Sequence, residues 1–347
     1  MSDETIPPRD PVDLDALGAW LAAHDVVGEL EVTQFPGGFS NLTYLVRVGD
    51  RELVLRRPPL GADVKGGHDV LRECRLLERL SARYPKAPRP LLACDDAEVL
   101  GAPFYLMERV RGVILRGVPD DPPPPETMRA LSERLVDGLA ELHAIDPREA
   151  GLGDVGRPEG YVARQVRGWG ERWRRARTDD LPAMDRVAAW LDEHRPNESG
   201  AAVVHNDYKY DNVVLDPSDL GHVVAVLDWE MATVGDPLMD LGTSLAYWTD
   251  PDDPPGLLGT SLRNPTSLPG NLTRAEVVAR YGGDVPNVAF YFVFGLFKVG
   301  VIAQQIYARH KRGLTSDPRF AALLDAVHGV SWLAERAVEL GRAERLG

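Results

Sequence analysis

The chain has 347 residues, 44% of them hydrophobic, with 53 acidic against 39 basic side chains and a formal net charge of −14. That length and apolar content can bury a core large enough for two lobes. The acidic balance disfavours nucleic acid and anionic membrane surfaces as partners, and the two cysteines, Cys74 and Cys94, are too few for a disulfide framework and not spaced as metal ligands.

In chain order, the start Met1 to Pro8 is acidic and proline-rich, without the basic opening and apolar stretch of a signal peptide, so a cytoplasmic location is expected. A helix follows with Leu14, Leu17, Trp20 and Leu21 on one face. Strand-like runs come next around Gln34-Phe35, from Tyr44 to Val48 and from Leu53 to Arg56, with Gly49-Asp50 as the hairpin turn between the last two. Val70, Leu71, Cys74, Leu77 and Leu80 then recur at helical spacing, and Phe104 to Met107 returns to strand. The expected unit is a small α+β lobe over residues 1–108, with a second lobe over 109–347.

That second part reads as mainly helical. Leu131, Leu135, Leu139 and Leu142 form one apolar stripe starting after Glu126, and the preceding run Pro122-Pro123-Pro124-Pro125 is expected to be extended and not helical. Tyr161 to Arg177 predicts an amphipathic helix, with Val162, Val166, Trp169 and Trp173 on one side and Arg164, Arg167, Arg172, Arg174 and Arg175 around the rest. The apolar stretch from Val288 to Ile306 is interrupted by Lys298, Gln304 and Gln305 before it reaches the roughly 20 residues a bilayer requires, so it predicts a buried core helix and no membrane association. Thr249 to Pro269 is rich in Pro, Gly and Asp and predicts a flexible surface loop.

The densest chemical signal is His205-Asn206-Asp207-Tyr208-Lys209-Tyr210-Asp211-Asn212, emerging from the apolar run Ala201 to Val204, followed by a second apolar run, Val223 to Leu227, that delivers Asp228. This is H-x-D-x-x-x-x-N, a strand, then D, the arrangement kinase-type enzymes use for a base and two metal ligands. Asp207 suits the acceptance of a substrate hydroxyl proton. Asn212 offers a neutral amide oxygen and Asp228 a charged one to Mg²⁺. His205 is read as an organiser of the loop. Singly these residues are common in turns; their combination between two apolar runs predicts a phosphotransferase using ATP and Mg²⁺.

Those pieces, with Gly37-Gly38-Phe39-Ser40-Asn41-Leu42-Thr43-Tyr44, Val54-Leu55-Arg56, Arg72-Glu73, Phe104 to Glu108, and Asp228-Trp229-Glu230 through Gly235-Asp236-Pro237 to Asp240, make the chain resemble the aminoglycoside phosphotransferase and choline kinase group over nearly its whole length. The resemblance is closest to the branch similar to the kinase domain fused to acyl-CoA dehydrogenases. It implies an α+β, two-lobed protein-kinase-like fold: a small N-lobe with an antiparallel sheet and one key helix, and a larger, mainly helical C-lobe. It also implies that Gly37, Gly38, Ser40 and Asn41 cover the ATP phosphates, although the full G-x-G-x-x-G pattern is absent. Arg56 stands where kinases usually carry a lysine, with Glu73 as its helix partner; neighbouring Arg57 is the alternative, and strand alternation sends the two to opposite faces. The segment Met107, Glu108, Val110 is implied as the hinge whose backbone meets the adenine. Asp236 and Asp240 are read as helix-capping and loop-bonding groups in preference to metal ligands, Glu230 stays open, and Asn206 departs from the family's usual glycine.

The acceptor is less legible. Resemblance implies a hydroxylated acyl-CoA or related small alcohol, and the arginines of 161–177 either attract such an anion or form a solvated face paired with nearby carboxylates. An aminoglycoside acceptor would call for an acidic pocket and a choline-like one for an aromatic cage. A nucleotide-binding regulatory module without catalysis is the alternative of another class. A monomer or homodimer is expected, with no nucleic-acid partner.

Overall fold

The structure, a computed structural model, describes residues 5–36, 41–60, 69–254, 265–283, 285–315 and 317–347. The first lobe runs α1 (Leu14–Ala22), β1 (Leu30–Gln34), β2 (Leu42–Val48), β3 (Arg51–Arg57), α2 (Val70–Leu80), β4 (Pro90–Cys94), α3 (Ala97–Leu100) and β5 (Phe104–Glu108). Its five strands form one antiparallel sheet in the order β1-β2-β3-β5-β4.

Period-two alternation decides what each face of that sheet carries. Leu53 and Leu55 of β3, with Phe104 and Leu106 of β5, pack with Leu17 and Leu21 of α1 in one cluster, whereas Val54, Tyr105 and Met107 pack with Val70, Cys74, Leu77 and Leu80 of α2 in the other. Arg56 therefore shares the α2 face and Arg57 the α1 face. Arg57 is engaged there through both Nη groups, which donate to the carbonyls of Leu100, Asp10 and Pro11 and to the Tyr44 hydroxyl. In α1, Leu14 does not join the buried stripe; it is 46% exposed, because Leu17 and Leu21 fill the inward arc of a nine-residue helix.

After β5 come α4 (Pro125–His143), α5 (Tyr161–Ala176), α6 (Pro182–Glu193), β6 (Ala202–Val204), β7 (Val213–Asp216), β8 (Asp219–Val226), β9 (Thr233–Gly235), α7 (Pro237–Leu245), α8 (Arg274–Gly282), α9 (Val288–Lys311) and α10 (Leu323–Leu340). Helix α4 starts one residue earlier than expected: Pro125 is its first residue, a position where the missing N–H has no helical acceptor to lose. The described ends of the 249–269 segment lie only partly at the surface. Asp250 and Thr266 are buried, and the fully buried Arg274 of α8 pairs with Asp250 and Asp253; residues 255–264 lie outside the described residues.

Helix α9, 24 residues, is long and apolar enough to cross a bilayer, yet 78% of its apolar window is buried within the fold. It packs on α5, α7 and α10. Its crossing with α7 is made by two glycines: a Cβ on Gly242 would lie 2.1 Å from the Tyr291 carbonyl oxygen, and one on Gly295 2.1 Å from that of Gly242. Backbone cannot yield as a side chain does, so Gly295→Ala is expected to cost about 3 kcal/mol of stability. A urea midpoint matching that of wild type would show that the helices can separate freely.

Candidate active site

Strand β6 pairs with β9, Val204 opposite Thr233, and β7 pairs with β8, Val213 opposite Val226. The eight residues 205–212 are strung between these two small sheets. The Leu227 N–H donates to the Asn212 carbonyl at 2.7 Å, so Asn212 and Asp228 emerge side by side although 16 positions separate them.

Within the loop, the His205 ring is buried. Its Nε2 donates to the Leu227 carbonyl at 2.9 Å and its Nδ1 accepts the Asp207 N–H at 3.2 Å. Burial pushes its pKa below the ordinary histidine value, against the pull of Asp240, Asp207 and Asp228, so the neutral ring that this bonding pattern needs is the favoured form. It organises the loop, as expected. Asn206 adopts φ +67°, a left-handed conformation in which asparagine is tolerated. Its amide adds contacts a glycine would lack, donating to the Met231 carbonyl and accepting from the Tyr161 hydroxyl.

Asp240 of α7 accepts the His205 N–H at 2.6 Å and the Asn206 N–H at 2.8 Å. Burial alone would raise its pKa, but the hydrogen bond from His143 and nearby His205 and Lys298 hold it below the usual carboxylate range. Asp236 caps α7 through Leu238 and Met239 and also accepts from Ser199. Both acids are therefore structural, with both carboxylate oxygens engaged by protein donors.

Asp207, the candidate base, is held on both oxygens. Oδ2 accepts from Asn212 Nδ2 at 2.8 Å and faces the Lys209 ammonium at 3.1 Å; Oδ1 accepts from the Tyr247 hydroxyl at 3.2 Å. Burial would lower the Lys209 pKa, yet Tyr247 and the Asp207 and Asp211 carboxylates around it raise it above the ordinary value. Because Asn212 turns its nitrogen toward Asp207, its amide oxygen is the atom available to a cation.

Asp228 also has left-handed backbone, φ +66° and ψ +64°, and its carboxylate is 38% exposed. Facing it is Arg56, whose Nε lies 3.2 Å from Glu73 and whose Nη2 lies 3.2 Å from both Asp228 and Glu230. Burial raises the Glu73 carboxyl, with Arg56 opposing, while the three carboxylates keep the guanidinium charged despite its own burial. Asn41 donates to Glu230 at 2.8 Å, and Arg72 of α2 reaches the carbonyls of Glu230 and Ala232. Gly37, Gly38 and Ser40 lie outside the described residues.

The hinge segment forms the end of β5. The Glu108 N–H is donated to the Arg89 carbonyl, so this residue can offer an adenine only its carbonyl; half-buried Val110 follows, and Met107 is buried against α2.

One guanidinium facing three carboxylates leaves an excess of negative charge that a cation would offset. Among the described residues no group of three or more His, Cys, Asp or Glu side chains forms a ready-made cage. An amide oxygen from Asn212 and a carboxylate from Asp228 match Mg²⁺, which takes one or two protein oxygens and completes its octahedron with phosphate and water. The residues fit that ion.

Sequence reasoning passed over Lys209, although it stands two positions after Asp207 inside the motif. It also passed over Tyr247, which reaches Asp207 from 40 positions away with no local pattern to mark it, and treated Arg72 only as Glu73's neighbour. The arginines of α5 divide: Arg164 donates to the carbonyls of Glu159 and Arg157, Arg175 faces Glu171, and Arg172 lies over the Trp169 ring, 4.4 Å from its centroid.

Residues 31–269 match the model of the phosphotransferase enzyme family. Acyl-CoA dehydrogenase family member 11 of Rattus norvegicus is 33% identical over 347 aligned residues, covering 96% of this chain and 44% of that protein; the chain spans less than half the length of the curated relatives it matches. Among solved structures, a protein of Ralstonia eutropha carrying the provisional name aminoglycoside phosphotransferase is 30% identical, with TM-score 0.77 over 95% of this chain and 99% of that one. A thermostable mutant of aminoglycoside phosphotransferase APH(4)-Ia, solved with AMP-PNP and hygromycin B, shares the fold at 17% identity, with TM-score 0.56 over 94% of this chain and 98% of that one. With its two-lobed, kinase-like architecture, and with the family model spanning both the Arg56–Glu73 pair and the 205–228 loop, this chain belongs to the phosphotransferase enzyme family.

Proposed function

We propose that the chain transfers the γ-phosphoryl group of ATP to a hydroxyl of a small-molecule acceptor, in the presence of Mg²⁺. The observation that carries this reading is the convergence of Asp207, Asn212 and Asp228 opposite the Arg56–Glu73 pair. The acceptor oxygen bonds to the γ-phosphorus, the bond to the β-phosphate oxygen breaks, ADP leaves, and the hydroxyl proton passes to Asp207. Asn212 and Lys209 occupy Oδ2, so Oδ1, engaged among the described residues by Tyr247 alone, retains a lone pair for that proton. Arg56, clamped by three carboxylates, presents its charge toward the phosphates with little freedom to lose on binding. Mg²⁺ held by Asn212 and Asp228 would neutralise charge on the phosphate oxygens. Asp228→Ala is expected to weaken Mg²⁺-dependent ATP binding by about tenfold or more; a calorimetric titration at full wild-type affinity would remove Asp228 from the metal site.

For the acceptor we favour a hydroxylated acyl-CoA. Arg172 pairs with no carboxylate among the described residues and lies within electrostatic reach of the buried Lys298 ammonium. That unpaired guanidinium favours an anionic acceptor over a polycationic aminoglycoside. The acyl-CoA dehydrogenase names of the relatives point the same way. ADP release should be measured with 3- and 4-hydroxyacyl-CoAs, kanamycin, hygromycin B and choline. Stimulation confined to a hydroxyacyl-CoA is expected; stimulation by an aminoglycoside alone would replace this acceptor.

A further inference from the structure

Lys298 lies in the middle of α9 and is 2% exposed, and no carboxylate among the described residues lies within ion-pair distance of it. Burying an ammonium without a paired anion is costly. Among the described residues its Nζ donates to one group, the carbonyl oxygen of Asn206, at 2.6 Å, and stands 5.7 Å from the centroid of the Trp169 ring. The charged groups around it are Asp240 of α7, Asp207 and Lys209 of the loop and Arg172 of α5; burial, reinforced by the two cations and opposed by the two carboxylates, pushes its pKa down to about 8.

The carbonyl it holds belongs to the peptide plane joining Asn206 to Asp207. The other end of that plane, the Asp207 N–H, is bonded to His205 Nδ1 at 3.2 Å. Asn206 itself is in the left-handed region, a sparsely populated conformation that its surroundings must hold, and the Asn206 N–H is already given to Asp240. Rotation of the 206–207 plane would swing the Asp207 side chain away from Asn212, Lys209 and Tyr247.

We propose that Lys298 is a positioning residue for phosphoryl transfer: its ammonium pins the Asn206 carbonyl, and with it the peptide plane from which the Asp207 carboxylate projects. The inference rests on Asp207 being the base of the proposed kinase, and its test separates the two. Lys298→Met keeps the length and removes the donor and charge; Lys298→Gln keeps an uncharged donor. Amide hydrogen exchange of the 204–212 segment reads the loop without any acceptor, and Mg²⁺-dependent ADP release from ATP reads the consequence, with Asp207→Asn as background.

In Lys298→Met, exchange in 206–208 is expected to rise about tenfold while α5, α7 and α9 exchange as in wild type, and kcat for ADP release to fall about 10- to 100-fold with KM for ATP within about twofold. Lys298→Gln should recover part of both, and carries the same comparison should Lys298→Met not fold. Wild-type exchange and kcat in both variants would overturn the proposal, as would exchange rising equally through the three helices, the signature of a purely structural lysine. Wild-type ADP release no higher than that of Asp207→Asn across the whole acceptor panel would refute the kinase reading, while the exchange measurement would still decide whether Lys298 holds the loop.

Discussion

Asp207→Asn is expected to lower ADP release by about 10²- to 10⁴-fold, the range that a positioned general base supplies, while ATP affinity stays close to wild type. The substitution is nearly isosteric. Asn212 and Lys209, both donors to Oδ2, would face an amide, and Tyr247 could still bond the side chain. What disappears is the capacity to take the acceptor's proton. In the proposed reading ATP is held by Arg56, Asp228 and the hinge, none of which touches Asp207 directly, so nucleotide titration should separate binding from turnover. Turnover equal to wild type would remove Asp207 as the base. Equal ATP binding with no turnover in either protein, across the whole acceptor panel, would instead favour a nucleotide-binding regulatory module.

The second large effect concerns the buried ion cluster. Arg56→Met is expected to cost about 3–5 kcal/mol of stability near pH 7, because it leaves Glu73 buried without its cation. Glu73 is 2% exposed, and Asp228 and Glu230 add negative charge beside it. In the variant, the folded protein binds a proton on Glu73 that the unfolded chain has already lost near neutrality, so stability falls as pH rises between the unfolded and folded pKa values. The deficit against wild type should therefore be greatest near pH 7 and shrink as the pH approaches about 4.3, the ordinary glutamate value. Urea unfolding at both pH values measures it. A deficit independent of pH would mean that Arg56 contributes through the packing of its stem and not by neutralising Glu73.

Much of this site is local in sequence, and for that reason legible there. The loop 205–212 is short, so Asp207 and Asn212 keep a set spacing, and an apolar strand delivers Asp228. Alternation along β3 separates Arg56 from Arg57, and helical spacing puts Glu73 among Val70, Cys74 and Leu77 on the inward side of α2. Pairing across the sheet then had one consistent outcome: Arg56 on the α2 face, Arg57 spent on backbone carbonyls and Tyr44.

Tertiary structure alone decided the rest, because its contacts join residues whose separation carries no periodicity. Tyr247 reaches Asp207 from beyond α7, Asn41 meets Glu230 across 189 positions, and Lys298 finds Asn206 from 92 positions away. Lys298 illustrates the limit. In sequence it reads as a polar break in an apolar run, which rightly argues for a core helix, but nothing local says whether its ammonium reaches solvent or a carbonyl. The burial of Asp250 and Thr266 had the same origin, since a segment rich in turn-forming residues was drawn inward by Arg274 of α8 and by the Tyr247 carbonyl. Sequence by itself determined the main elements, the sheet faces and the candidate groups of the site. The fold decided which buried charges meet, since the cost of burying a charge is set by partners that chain order does not bring together.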